Sequence, residues 1–289
     1  EEEKMRAATA LCNLCCDSAQ NREIAGQAGA VQALIRLLES SHGAYRGRIQ
    51  QVACAALSNL CGDVECKKAI AGGQAPSLIQ QVLCGNNIPA ASQAAGAMWT
   101  LCIDSSEEEK TSYATALSVR TLIRLLTDEC ATEASLTVGQ KTALRARACG
   151  CLSECSIRNP AVKSKIGSGG AIPELISVCK GGDATCQRLA ACALCNLVAN
   201  HQGNKRLARR CGVIREMASV LKATSSQEIR CACASVIFNI ANKSDKEELE
   251  GLEVLSMLRG IKNSRNIDVR LMCVTNSVGE TQSNAFGTY

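Results

Sequence analysis

The chain has 289 residues, 46% of them hydrophobic but only 2% aromatic, and a formal net charge of +5. That composition excludes a β-sandwich, which would need many more aromatic and β-branched residues alternating in short strands. The weak basic bias falls short of the dense Lys/Arg stripe of a dedicated nucleic-acid binder.

Read in chain order, residues 1–19 predict the end of an Ala-rich helix, with the phrase AATALCNLC centred on Asn13. Residues 20–62 predict a short helix (NREIAGQ), a break at Gly29, an amphipathic helix (AVQALIRLLES) and a polar loop from Ser40 to Arg48. A long Ala-rich helix follows, with ACAALSNLC around Asn59. Residues 63–103 repeat the order more loosely, with a second helix near Ala75-Pro76-Ser77-Leu78-Ile79 and AAGAMWTLC around Thr100. In residues 104–156 the acidic run from Glu107 to Lys110 reads as a solvated helix start. An extra loop there runs from Thr127 to Lys141, ahead of ACGCLSECS around Glu154. Residues 157–199 carry GGAIPELISV from Gly169 and AACALCNLV around Asn196, and residues 200–243 carry CGVIREMASVL from Cys211 and CASVIFNIA around Asn239. Residues 244–289 hold a weaker copy, RLMCVTNSVGE, with Gly279 at the anchor. Both ends break inside a unit, so the chain reads as a single domain over 1–289 truncated at each end.

The anchors Asn13, Asn59, Thr100, Glu154, Asn196, Asn239 and Gly279 are spaced by 46, 41, 54, 42, 43 and 40 residues. A fixed period in this range is the signature of two- or three-helix repeats. A second phrase is locked to the first: Gly29, Gly170 and Gly212 each lie 16 residues past an anchor, where a glycine suits the end of one helix and the start of the next. Within the Ala-rich helix, residues one after, two before and five before the anchor are apolar or small, as in Leu60, Leu57 and Cys54. That stripe is wide enough to pack on two neighbours, and its Ala, Gly and Cys let helix axes approach closely.

A short helix, a Gly break, an apolar second helix and an ALxNL-type third helix together resemble the armadillo repeat family over essentially the whole chain. The resemblance implies an all-α, right-handed superhelical solenoid of about six three-helix repeats, with third helices lining a concave groove. It also implies a non-catalytic protein-interaction scaffold or adaptor holding an extended peptide or helix of a partner. The alternative is a structural component of a cytoskeletal or ciliary assembly, and a nucleic-acid reading is disfavoured.

Candidate groove residues are the anchors Asn13, Asn59, Thr100, Glu154, Asn196 and Asn239, with Arg6 and Arg147 seven residues before theirs. An Asn amide offers both a donor and an acceptor, so a column of them can grip a peptide main chain; Thr100 and Glu154 break that column. The alternative role for these asparagines is to brace neighbouring helices. Two arginines suit an acidic partner. Nuclear-import receptors of the family place a Trp four residues before each Asn, whereas this sequence has Thr9, Ala55, Gly96, Gly150, Cys192 and Ser235 there. Binding of basic nuclear-localisation signals is therefore not expected.

The 20 cysteines sit mostly within helical runs and read as small buried residues in a reducing compartment, cytoplasmic or nuclear. Cys12-x-x-Cys15 and Cys192-x-x-Cys195 lie inside helices rather than at metal-binding knuckles, and the chain has only two histidines. No catalytic residue, metal or cofactor is expected, no stretch reaches the roughly 18 apolar residues of a membrane span, and no signal peptide is seen.

Overall fold

The computed structural model describes residues 1–127, 136–242 and 245–262. Among these every regular element is a helix, none of them long and apolar enough to cross a membrane. The weak seventh copy and its anchor Gly279 lie outside the described residues, as does 128–135 of the expected long loop.

The chain divides into two compact units, Glu1–Cys155 and Ser156–Tyr289. The first begins with the isolated third helix α1 (Glu2–Cys16). Three complete repeats follow: α2 (Ala19–Gln27), α3 (Ala30–Ser40) and α4 (Arg46–Leu60); α5 (Val64–Ala71), α6 (Ala75–Leu83) and α7 (Ile88–Cys102); α8 (Glu107–Tyr113), α9 (Ala116–Arg124) and α10 (Val138–Ser156). The second unit holds α11 (Pro160–Ser168), α12 (Ala171–Gly181) and α13 (Ala184–Val198), then α14 (Gln202–Arg210), α15 (Val213–Ala223) and α16 (Gln227–Ile240). It continues with α17 (Lys246–Gly251) and α18 (Leu255–Lys262).

Local chemistry sets these boundaries. Side chains of Ser18, Asp63, Asn87, Ser106, Thr115, Asn159, Asp183, His201 and Ser226 accept the first free backbone N–H groups of the helices they precede. At Ser106 the reciprocal bond from its backbone N–H to Glu109 completes a capping box. Gly29, Gly170 and Gly212 have φ of +80°, +91° and +69°, so the expected break is a left-handed residue between first and second helices. Four residues after three of the anchors, Asp104, Arg158 and Asn200 are also left-handed, with φ of 54°, 56° and 53°. This second break, between third and first helices, is made without glycine.

Helices of like kind pack on one another. In the first unit α1, α4 and α7 lie side by side, as do α3, α6 and α9; in the second unit α13 pairs with α16 and α12 with α15. The apolar stripe is their contact surface. In every complete repeat the residues one after, two before and five before the anchor are at most 4% exposed. Leu14 on α1 is the exception at 60%, because α1 has a third helix, α4, on one side only among the described residues. α7 is buried around most of its circumference through six alanines and glycines plus Met98 and Leu101, as expected of a helix sandwiched between two others.

Helix takes up part of each long interval among the described residues. Of the Ser40 to Arg48 stretch, Gly43–Tyr45 forms one 3-10 turn and Arg46 onward belongs to α4. In the interval before Glu154, α10 starts at Val138 and reaches 19 residues, against 15 for α4 and α7.

Candidate functional site

The anchor and the residues four and seven before it share one face of each third helix, by helical periodicity. In the first unit two cavities among the described residues border that face. The smaller, about 300 Å³, lies among the N-terminal halves of α4, α7 and α10, where Gln51, Ser92, Gln93, Thr137, Gln140 and Arg147 supply its polar lining. Arg147 donates from Nη1 to Ser92 Oγ at 2.9 Å and meets no carboxylate among the described residues. Burial pushes its guanidinium pKa down, which marks a cation deprived of water. Its stem lies on Gly96: a Cβ there would sit 3.0 Å from Arg147 Cδ.

The larger cavity, about 930 Å³, lies at the C-terminal ends of α4 and α7 and is lined by Asn59, Thr100, Arg22, Lys67, Asp104 and Glu109 among others. Ser58 and Thr100 hydroxyls stand 3.4 Å apart on its wall. The indole of Trp99 lies across Gly150 of α10, so close that a Cβ on Gly150 would fall 2.4 Å from Trp99 Cδ2. The slot that a Trp would fill from its own helix is here filled from the neighbouring one.

The asparagine column is not uniform. Asn13 is exposed on α1. Asn59 donates from Nδ2 to the Cys12 carbonyl at 3.0 Å, and Asn239 to the Ser235 carbonyl at 2.9 Å with Cys195 Sγ at 3.4 Å. These two amides spend their N–H groups on helices of their own unit and leave the amide oxygen as the group a ligand could use. Asn196 is half-buried on α13 and has a partner within the chain. Arg6 is exposed and paired with Glu2 at 2.6 Å, so it does not join Arg147 in a pocket.

Glu154 is half-buried, and its carboxyl pKa is raised, chiefly by burial, with Lys110 opposing. A carboxyl whose folded pKa exceeds its unfolded one adds stability at low pH and loses it as pH rises through the raised value. Glu154→Gln should therefore show a smaller fall in melting temperature than the parent between pH 4.5 and neutrality; an identical pH profile would refute the assigned burial effect.

A further feature had no counterpart in the sequence reading. First helices donate to third-helix C-terminal carbonyls: Asn21 to Leu14, Arg22 to Cys15 and Cys16, Lys67 to Ile103, Lys163 to Ala199, and Asn204 to Leu197. Donors and cations suit these carbonyls because a helix end leaves them without partners and carries negative dipole charge. The available signal was the offset shared by Asn21 and Asn204, each eight residues past an anchor. Among the described residues no cluster of His, Cys, Asp and Glu has metal-holding geometry.

Comparison with known proteins bears on the repeat and the fold. Residues 18–62 match the armadillo/beta-catenin-like repeat. No curated protein matches the sequence. An engineered protein of known crystal structure superposes with a TM-score of 0.74 at 20% identity, covering 94% of this chain and 64% of that one. A designed armadillo repeat protein gives 0.70 at 16% identity, covering 83% and 94%. Another, solved in complex with the peptide (KR)4, gives 0.65 at 17% identity, covering 83% and 95%.

Proposed function

We propose that this chain, an armadillo-repeat protein by its repeat and its fold, is a non-catalytic protein-binding scaffold that holds an extended partner segment bearing an acidic side chain. The observation that carries the reading is Arg147: a partly desolvated guanidinium in a cavity with polar lining, where among the described residues a serine hydroxyl answers it. A carboxylate entering there would give the guanidinium an oppositely charged acceptor where it now meets a neutral hydroxyl. In this proposal the Asn59 amide oxygen and the Thr100 hydroxyl oxygen, whose own proton goes to the Ala97 carbonyl, accept N–H groups of the peptide main chain.

The designed relative bound to (KR)4 sets the contrast. Its ligand is basic, whereas the cavity here presents a cation and lacks a Trp at each position four before the anchor. The cysteine-rich helical runs of the sequence suit a reducing compartment, and a cytoplasmic or nuclear location is part of the proposal.

The test is fluorescence polarisation with an extended Asp/Glu-bearing peptide against (KR)4 as comparator. The acidic peptide should bind more tightly, and Arg147→Met should weaken it about 10- to 100-fold, as expected for loss of a hydrogen bond to a charged group worth roughly 1.5–3 kcal/mol. Tighter binding of (KR)4, or an unchanged affinity in the variant, would sink the reading.

A further inference from the structure

Three thiols of the first unit meet between α7 and α10. Cys102, the last residue of α7, has its Sγ 3.2 Å from that of Cys155, and Cys151, one turn earlier on α10, lies 4.0 Å from Cys155. All three are at most 3% exposed. Two cysteines one turn apart on a helix project their Cβ atoms in parallel and close a disulfide poorly; Cys102 approaches from another helix and is the partner with usable geometry. Closing the gap to the ~2.05 Å of an S–S bond needs a shift of about 1 Å, and Cys102 stands where α7 gives way to the non-helical segment 103–106.

The surroundings favour reaction at one sulfur. Burial alone pushes the isolated Cys54 thiol up to about 12. Cys155 goes the other way, because hydrogen bonds from Cys102 and Cys151, aided by the ammonium of the buried Lys110, hold it below the ordinary thiol range. The thiolate is the form that attacks. The larger cavity is lined by Thr100, Ile103 and Asp104, close in sequence to Cys102, and by none of the three cysteines themselves.

We propose that Cys102 and Cys155 form a redox site that a hydroperoxide converts into a disulfide. The Cys155 thiolate attacks the terminal peroxide oxygen; the S–O bond forms, the O–O bond breaks, and the departing alkoxide takes up the proton that Cys155 had lost. Cys102 then attacks the sulfenic sulfur. The S–S bond forms, the S–OH bond breaks, and hydroxide leaves as water with the Cys102 proton. Two thiols lose two electrons while the hydroperoxide becomes an alcohol and water. This inference stands apart from the peptide-binding reading.

The experiment exposes the folded full chain to hydrogen peroxide, blocks remaining thiols with N-ethylmaleimide under denaturing conditions, and maps peptides by non-reducing mass spectrometry. The expected product is the Cys102–Cys155 linked peptide, two hydrogens lighter than the sum of its parts and restored by dithiothreitol. It should form before any product at the exposed Cys16 or Cys211. In Cys102→Ser, dimedone should trap a sulfenic acid at Cys155. If that variant does not fold, the parent's map decides. Recovery of Cys102 and Cys155 as alkylated thiols, while Cys16 and Cys211 are oxidised, would overturn the proposal.

Discussion

Replacing Asn204 with alanine is expected to cost about 2–4 kcal/mol, the loss of two buried hydrogen bonds together with the penalty of stranding their carbonyls. Asn204 is 1% exposed and donates from Nδ2 to the Lys163 carbonyl of α11 at 2.9 Å and to the Leu197 carbonyl of α13 at 3.0 Å. It therefore ties three helices of the second unit together. Gly167 makes room for it: a Cβ there would lie 2.0 Å from Asn204 Oδ1. Alanine cannot reach either carbonyl, and the wedge is too enclosed for solvent to take over both bonds. The equivalent Asn21 supplies an internal control. Its single bond to the Leu14 carbonyl is exposed, so Asn21→Ala should cost no more than about 1 kcal/mol. Urea unfolding of the two variants measures the difference; equal effects would show that burial of the clamp does not matter.

Gly150→Ala should destabilise the first unit by about 1–3 kcal/mol, the usual result of forcing atoms into a filled site. The added Cβ would meet Trp99 Cδ2, Cε2 and Cε3 at 2.4, 2.5 and 2.6 Å. Those are atoms of a rigid ring, so the whole indole must swing off α10. Gly96→Ala is milder, because its Cβ meets the flexible stem of Arg147, which can yield. Trp99 is the single tryptophan of the chain, so its emission reports the displacement directly. Gly150→Ala should shift that emission and lower the melting temperature while Gly96→Ala changes both little. Unchanged emission in Gly150→Ala would mean that the ring does not rest on this glycine.

Much of the fold was legible because it depends on period. An anchor recurring every forty-odd residues with a glycine 16 positions later fixes the order of short, second and third helices. The apolar positions at fixed offsets name the buried face. Leu57, Leu60, Leu152, Leu194 and Leu197 are fully buried as that pattern requires. The left-handed turns at Asp104, Arg158 and Asn200 were not legible, since no glycine marks them and an Asp, an Arg and an Asn share no side-chain chemistry. The site was legible only as a face. Arg147 and Arg6 occupy the same repeat position, yet one is half-buried against Ser92 and the other is paired with Glu2 in solvent.

The sequence by itself determined the repeating unit, its helical class and which face of each third helix is apolar, because those follow from spacing along one chain. Only the tertiary structure decided which side chain of one helix meets which of the next. The indole of Trp99 on Gly150, the Asn204 clamp under Gly167 and the Cys102–Cys155 contact join residues 51, 37 and 53 positions apart. The physical reason is register: a slide of one residue between packed helices turns a neighbouring side chain through about 100°, so such meetings are set by how whole helices interlock.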